Sequence, residues 1–371
     1  MACLVLASCG FTATKSPEAS LKKVFKNDFL IGAALNSKQA SGKDLEATAI
    51  ITQHFNTISP ENVLKWALVH PAPGRYAFGP SDEYVAYGER HGMFVVGHTL
   101  VWHSQLPRWV HHDSTGAAVS RDTLLARMRD HIMTVVGRYR GRIKGWDVVN
   151  EALNEDGTLR RSPWLEIIGE DYLVKAFQFA HEADPSAELY YNDYSLENPA
   201  KRAGAVALIK RLQAAGVPIK AIGLQAHQKM DWPTLAAEDS TIAAFSALGI
   251  HVNITELDVD VLPAAVRGQG ADVATRAATT AAQNPYAAGL PDSVQRALAA
   301  RYEGLFDVFM RHRAAIDRVT FWGVADGNSW LNNWPVVGRT SYPLIFDRQH
   351  RPKPAFDGVV RAARTARAPA A

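Results

Sequence analysis

Cysteine is almost missing from this chain. Both copies, Cys3 and Cys9, sit at the extreme N-terminus of 371 residues. The body of the protein therefore has no internal disulfide framework, no cysteine nucleophile and no Cys-ligated zinc. Long hydrophobic runs are lacking too, and no segment after the N-terminus is apolar for long enough to span a bilayer. Charge of one sign is also lacking. Forty basic against 37 acidic residues leave a formal net charge of +3. That balance gives no electrostatic case for nucleic acid or for an anionic membrane surface. Aromatic residues are present, among them nine Trp. Their flat apolar faces suit stacking on sugar rings, although Trp is equally an ordinary core residue.

The opening "MACLVLASCGFTATKS" is a short apolar run followed by small and Ser/Thr-containing residues. It resembles the tail of an export signal, without the basic start and with less than the usual length. "LASC" is similar to a bacterial lipobox, which would make a lipidated Cys9 the first residue of the mature protein and its one route to a membrane. An incidental apolar tail is the alternative. The expectation is an exported protein, periplasmic, anchored at the outer membrane or secreted. Residues 1–22 form the signal-like segment and linker, 23–365 the catalytic domain, and 366–371 an Ala/Pro-rich tail.

Past residue 22, short apolar or β-branched runs recur at 29–35, 55–62, 93–100, 143–151, 188–194, 221–227, 251–258 and 318–326. Segments with helical spacing separate them, for example "SRDTLLARMRDHIMTVVGRYRG" and "PAKRAGAVALIKRLQAAG". Strands alternating with helices in one unbroken domain predict an α/β fold, a (β/α)8 TIM barrel. A doubly wound open sheet is the competitor, but "IGAALNSKQ" is not the Gly-rich phosphate turn expected after its first strand. Two stretches, 261–292 and 327–350, are too long for ordinary connections. Both follow strands, so both fall on the face of a barrel where substrates bind.

The strand ends are polar. In order they carry Glu61 and Asn62, His98, Asn150 and Glu151, Asn192, Gln225 and His227, Glu256 and Asp258, and Trp322. Carboxylates, amides, imidazoles and Trp converging on one barrel mouth suit a neutral polyhydroxylated ligand. Cleaving a glycosidic bond needs one carboxylic acid to protonate the leaving oxygen and a second carboxylate opposite it. Glu151 on the fourth strand and Glu256 on the seventh are the candidates, since those strands stand nearly across a barrel from each other. Either Glu alone reads as a solvated strand end; the pair, in "VVNE" and "ITELD", reads as catalytic.

"GHTLVWHSQLPRW", "WDVVNEAL", "YYNDY", "GLQAH", "ITELD" and "LNNWPVVGRTSYPLIFD", in that order between roughly residues 25 and 360, resemble the family 10 glycoside hydrolases, the endo-β-1,4-xylanases. The resemblance implies that Glu151 is the general acid/base and Glu256 the nucleophile of a retaining reaction. Their carboxyls should then stand about 5–5.5 Å apart. It implies that His227 hydrogen-bonds the nucleophile, that Asp258 orients His227, and that Asn150 grips the sugar 2-hydroxyl. Glu61, Asn62 and Lys65 correspond to a glycone-side cluster, although Lys65 judged alone could be a solvent-facing helix charge. His98, Trp102, Gln105 and Gln225 correspond to contacts around the reacting ring, and Trp322 and Trp330 to its aromatic floor and wall. Core packing competes for Trp322. Tyr194 and Asn192 correspond to the leaving-group side.

The implied substrates are xylan and xylo-oligosaccharides, cleaved by a monomer without metal or cofactor. Xylose lacks the hydroxymethyl arm of glucose, and a wall of Trp330 and Gln105 would exclude that arm by steric clash. The insertion at 261–292 departs from the family's compact pattern. It is expected to line the glycone end of the cleft, with Tyr286 as a sugar contact, unless it is a surface flap. Three alternatives stand beside this reading: a β-1,4-glucanase or mannanase barrel, a non-catalytic carbohydrate-binding barrel, and a metal-dependent hydrolase using His98 and His103.

Overall fold

The computed structural model describes residues 19–264, 270–278 and 280–367. The export-like segment with Cys3 and Cys9 and the end of the tail lie outside the described residues.

Eight parallel strands close on themselves. They are β1 (Leu30–Leu35), β2 (Thr57–Pro60), β3 (Phe94–Val101), β4 (Gly145–Asn150), β5 (Glu188–Asp193), β6 (Ile219–Leu224), β7 (His251–Asp260) and β8 (Ile316–Phe321). Each pairs with the next, and β8 returns to β1 through Leu30↔Arg318 and Gly32↔Thr320. The chain is thus a single (β/α)8 barrel. Its strands are buried on both faces, the inner one by the barrel and the outer one by the helices, which is why their apolar runs do not alternate. All six residues of β4 are buried.

The helices begin where local chemistry satisfies their first amides. Asp44, Ser120 and Thr234 accept from Ala47, Thr123 and Ala237 N–H at 3.1–3.2 Å. Pro199 and Pro354 occupy first-turn positions, where a missing N–H costs nothing. Gly97 on β3 shows how tightly the barrel is filled: a Cβ there would lie 2.1 Å from the Trp146 ring.

The eight-strand expectation omitted one element. After β6 the chain turns at Ala226, φ 60°, and re-extends as a short strand, His227–Lys229. It pairs with the overhanging end of the ten-residue β7 in the register His227↔Asp258. The long connection after β8 is irregular but fixed from below. The buried Asp326 carboxylate takes Lys353 Nζ at 2.9 Å and the Leu344 N–H at 2.9 Å, and Lys353 also donates to the Tyr342 and Leu344 carbonyls. This loop carries Trp330. No described helix is long and apolar enough to cross a membrane.

Candidate active site

Asn150 ends β4 and Glu151 follows it with φ 56°. Neighbouring strand residues normally face opposite sides. The left-handed turn at Glu151 lets both side chains enter the barrel mouth. The turn is held by the Glu151 N–H on the Asn192 carbonyl, 2.9 Å, and by Arg160 Nε on the Glu151 carbonyl, 3.2 Å. Glu151 is only 4% exposed. Its Oε2 accepts from Trp102 Nε1 at 2.7 Å, and its Oε1 from Gln225 Nε2 at 2.9 Å and Asn150 Nδ2 at 3.1 Å. Burial pushes this carboxyl up to about 7. The hydrogen bonds from Gln225 and Trp102 oppose the rise, and the charges of Asp193 and Glu256 add to it.

Glu256, within β7, lies in a different field. Asn192 Nδ2 donates to its Oε1 at 2.8 Å, and His227 Nε2 lies 3.2 Å from its Oε2. Burial would raise this carboxyl as well. The His227 hydrogen bond, the rings of His98 and His227, and the Asn192 amide outweigh burial and hold it below the ordinary carboxylate range. Behind it, His227 Nδ1 is 3.0 Å from Asp258 Oδ1, and Trp330 Nε1 donates to Asp258 Oδ2 at 2.7 Å. Burial would push the imidazole down. The Asp258 charge and hydrogen bond, then Glu256, overcome it and hold His227 up to about 10. His227 is therefore an imidazolium between two carboxylates across the neutral range.

Two amides link the glutamates. Asn192 Nδ2 also donates to Asn150 Oδ1 at 2.9 Å, so Glu151, Asn150, Asn192 and Glu256 form one hydrogen-bonded chain. Gly223 makes room for it, because a Cβ there would lie 2.2 Å from Asn192 Oδ1.

Glu61, Asn62, Lys65, His98, Trp102, Gln105, Asn150, Gln225, His227, Trp322 and Trp330 line one cavity of about 140 Å³ with the two glutamates. Lys65 is not a solvent-facing charge. It is buried, with Nζ 3.1 Å from Asn62 Oδ1 and 5.1 Å from the Trp102 ring centre. Burial lowers its titration, and the charges of Glu256, Glu61 and Glu151 partly restore it. Burial likewise raises Glu61. Trp322 meets the rings of His98 and His227 edge-on, at 5.5 and 6.2 Å.

One expected sugar contact sits differently. Asn192 points inward from β5, fully buried, and both ends of its amide are used, since Thr255 Oγ1 donates to its Oδ1 at 2.7 Å. It supports the glutamates from below and is out of reach of a ligand. Gln225 lines the cavity as expected, with its amide nitrogen donating to Glu151 Oε1. Tyr194 is buried except at its margin; Arg160 Nη2 donates to its hydroxyl at 2.7 Å and Lys201 Nζ lies 3.6 Å from its ring centre.

Three supporting residues were not anticipated. Asp147 lies opposite His98 in the β3–β4 register, with Oδ2 3.0 Å from Nδ1. An acid in the middle of an apolar strand was the available signal. Lys201 is fully buried between Asp193 and Glu155, both at 3.1 Å. It occupies the same helical stripe as Ala205, Leu208 and Leu212, so a charge on an apolar face was the clue. Arg160 carries no such signal, because it sits in a loop without periodicity.

The insertion is placed differently from expectation. Its described part meets the Tyr194 side: a Cβ at Gly270 would lie 2.9 Å from Tyr194 Cε2, and Asp272 Oδ2 lies 3.3 Å from Arg160 Nη1. Ala271 and Val273 line the cavity. Tyr286 does not. Its carbonyl takes the Tyr342 hydroxyl at 2.8 Å and its side chain packs at the edge of the core, which removes it from the glutamates.

Residues 20–362 match the family model described as Glycosyl hydrolase family 10. "Endo-1,4-beta-xylanase A" of Xylanibacter ruminicola is 44% identical over 359 residues, covering 97% of each chain. "Beta-1,4-xylanase" of Dictyoglomus thermophilum is 42% identical over 92% of this chain and 90% of its own. Among solved structures, a GH10 endoxylanase from a sugarcane soil metagenome superposes with a TM-score of 0.89 at 44% identity, covering 92% of this chain and 99% of its own.

Proposed function

Because this chain belongs to glycosyl hydrolase family 10, we propose that it is a retaining endo-1,4-β-xylanase acting on internal linkages of xylan and xylo-oligosaccharides, with Glu256 as nucleophile and Glu151 as general acid/base. The observation that carries this reading is the opposite tuning of two carboxyls in one cavity. Glu151 is pushed up to about 7 and Glu256 is held down. A retaining glycosidase needs that division of labour.

In the first step the Glu151 carboxyl protonates the glycosidic oxygen while a Glu256 oxygen attacks the anomeric carbon. The bond to the leaving sugar breaks and an ester to Glu256 forms. Esterification removes the Glu256 charge, one of the causes that hold Glu151 up. Glu151 is then left as a carboxylate better able to stay ionised. In the second step it takes a proton from water, the hydroxide attacks the anomeric carbon, and Glu256 departs as a carboxylate. The His227 imidazolium, kept in place by Asp258, stabilises Glu256 before attack and again as it leaves. Asn150 is the amide available to the 2-hydroxyl, a contact that strengthens in the transition state. Trp330 and Gln105 form the wall against which a hydroxymethyl arm would collide.

Two measurements test this. Proton NMR of early products should show the β anomer first, and reducing-sugar release should be far faster from xylan than from cellulose. An initial α anomer would sink the double displacement, and equal rates on both polymers would sink the substrate assignment.

A further inference from the structure

We infer that Arg160 and Asp272 are positioning residues for the acid/base. Asp272, in the insertion after β7, holds the Arg160 guanidinium, and Arg160 holds the backbone that aims Glu151 at the glycosidic oxygen. The inference rests on the xylanase reading and gives the 261–292 insertion a part in the chemistry.

Glu151 needs such a brace. Its φ of 56° is unfavourable for a residue with a side chain, and a conformation of that kind persists only where its surroundings over-determine it. β4 ends at Asn150, so the chain is leaving the sheet as it turns. One arginine gathers the turn. Arg160 Nε donates to the Glu151 carbonyl at 3.2 Å and Nη2 to the Leu153 carbonyl at 3.5 Å, while the Arg160 N–H meets the Ala152 carbonyl at 2.7 Å. Nη2 also reaches the Tyr194 hydroxyl at 2.7 Å, and Nη1 donates to Asp272 Oδ2 at 3.3 Å. All three nitrogens of a rigid planar fork are thus committed, four acceptors in all.

Asp272 is itself held in place. Its Oδ1 accepts the Ala274 N–H at 2.9 Å and its carbonyl accepts the Thr275 N–H at 3.0 Å, which leaves Oδ2 for Arg160. Burial would raise this carboxyl, but the Ala274 amide and the Arg160 charge hold it below the ordinary carboxylate range, so it is ionised at neutral pH. The Arg160 and Asp272 side chains are 16% and 34% exposed, against more than 40% for both partners of the helix-to-helix pairs Arg121–Asp171 and Arg129–Glu182. Water therefore screens the pair less than it screens those outer ones. The insertion is tied at a second point, where the Ala277 N–H donates to the Pro335 carbonyl at 3.0 Å, and between the two ties Val273 lines the cavity of the glutamates. Without the Asp272 charge the guanidinium loses one of its anchors, and the Glu151 carbonyl loses a fixed donor.

The test measures kcat/KM on two aryl β-xylobiosides, one with a dinitrophenyl and one with a phenyl leaving group. This constant ends at bond cleavage, so only protonation by Glu151 enters it, and phenoxide needs that proton far more than dinitrophenoxide does. Asp272→Asn should lower the phenyl value about fivefold, as expected for one weakened hydrogen bond, and leave the dinitrophenyl value within about twofold. Asp272→Glu should restore most of the loss. Arg160→Gln should lower the phenyl value further, and adding Asp272→Asn to it should cost nothing more, because Asp272 acts through Arg160. Unchanged kinetics in Asp272→Asn, equal losses on both substrates, or additive losses in the double variant would each overturn the brace. Glu151→Ala is the control. If it showed no split between the leaving groups, the acid/base assignment would fall and take the brace with it. A wild-type enzyme that cleaves neither substrate would instead bring down the xylanase reading from which both start.

Discussion

The charge on His227 can be removed while a hydrogen-bond donor is kept, by His227→Gln. Glu256 then loses an imidazolium 3.2 Å away, and Asp258 is left as an uncompensated negative neighbour. Exchanging a charge-assisted hydrogen bond for a neutral one costs about 1–1.5 kcal/mol, equivalent to about one pH unit. Coulomb's law at that separation with an effective dielectric of about 20 gives roughly 5 kcal/mol, a ceiling near four units. Both estimates raise the Glu256 carboxyl. Because Glu256 must be ionised to attack, a raised value moves the acid limb of activity to higher pH. The assay is kcat/KM against pH on an aryl β-xylobioside with an activated leaving group, so that protonation by Glu151 contributes little to the first step. The acid limb should rise by at least about one unit, with rates at high pH much less affected. The two carboxyls interact, so the limbs report the pair rather than either residue alone. An acid limb that stays in place would refute the role given to His227 in holding Glu256 ionised.

Other outcomes follow from the same geometry. Glu256→Ala should abolish turnover on every substrate while circular dichroism remains native. Glu151→Ala should reduce xylan cleavage far more than hydrolysis of activated aryl glycosides, and equal losses would count against the acid/base assignment. Glu151→Gln should stabilise the fold at alkaline pH. The folded-state value of Glu151 is raised to about 7, so the wild-type fold loses stability as pH climbs from the unfolded value near 4.5 through 7. The gain should reach roughly 3 kcal/mol above pH 8 and vanish below about pH 4.5, as read by urea unfolding. We also propose that the chain is exported; mass spectrometry should then find a processed N-terminus, with a lipid on Cys9 marking the lipoprotein route, and an unmodified Met1 would refute export.

Most of the barrel was legible because buried parallel strands write themselves as short β-branched runs; six of the eight runs ended within two residues of their strands, while 221–227 and 318–326 ran past Leu224 and Phe321. The two glutamates were legible for a related reason: a carboxylate closing an apolar run needs an explanation. The layer beneath them was harder to read. Asn192 looked like one more polar strand end, and only its hydrogen bonds to Asn150, Glu256 and Thr255 and the space left by Gly223 reveal it as a support. The His227–Lys229 strand depends on the left-handed kink at Ala226, which nothing in an alanine announces. Lys201 and Asp147 were visible as charges in apolar patterns. Arg160 and the course of the 261–292 insertion depend on loop contacts that have no period.

Trp330 has two attachments that pull in different directions. Its ring lines the cavity where the proposed function puts the collision with a bulkier sugar, and its indole nitrogen donates to the Asp258 carboxylate that holds His227. A lineage drifting toward hexose polymers cannot widen that corner without also slackening the tether on its own nucleophile. Appetite for new polymers and tolerance of acid are thereby inherited together, and a successful change of diet would need a second substitution to restore the lost support.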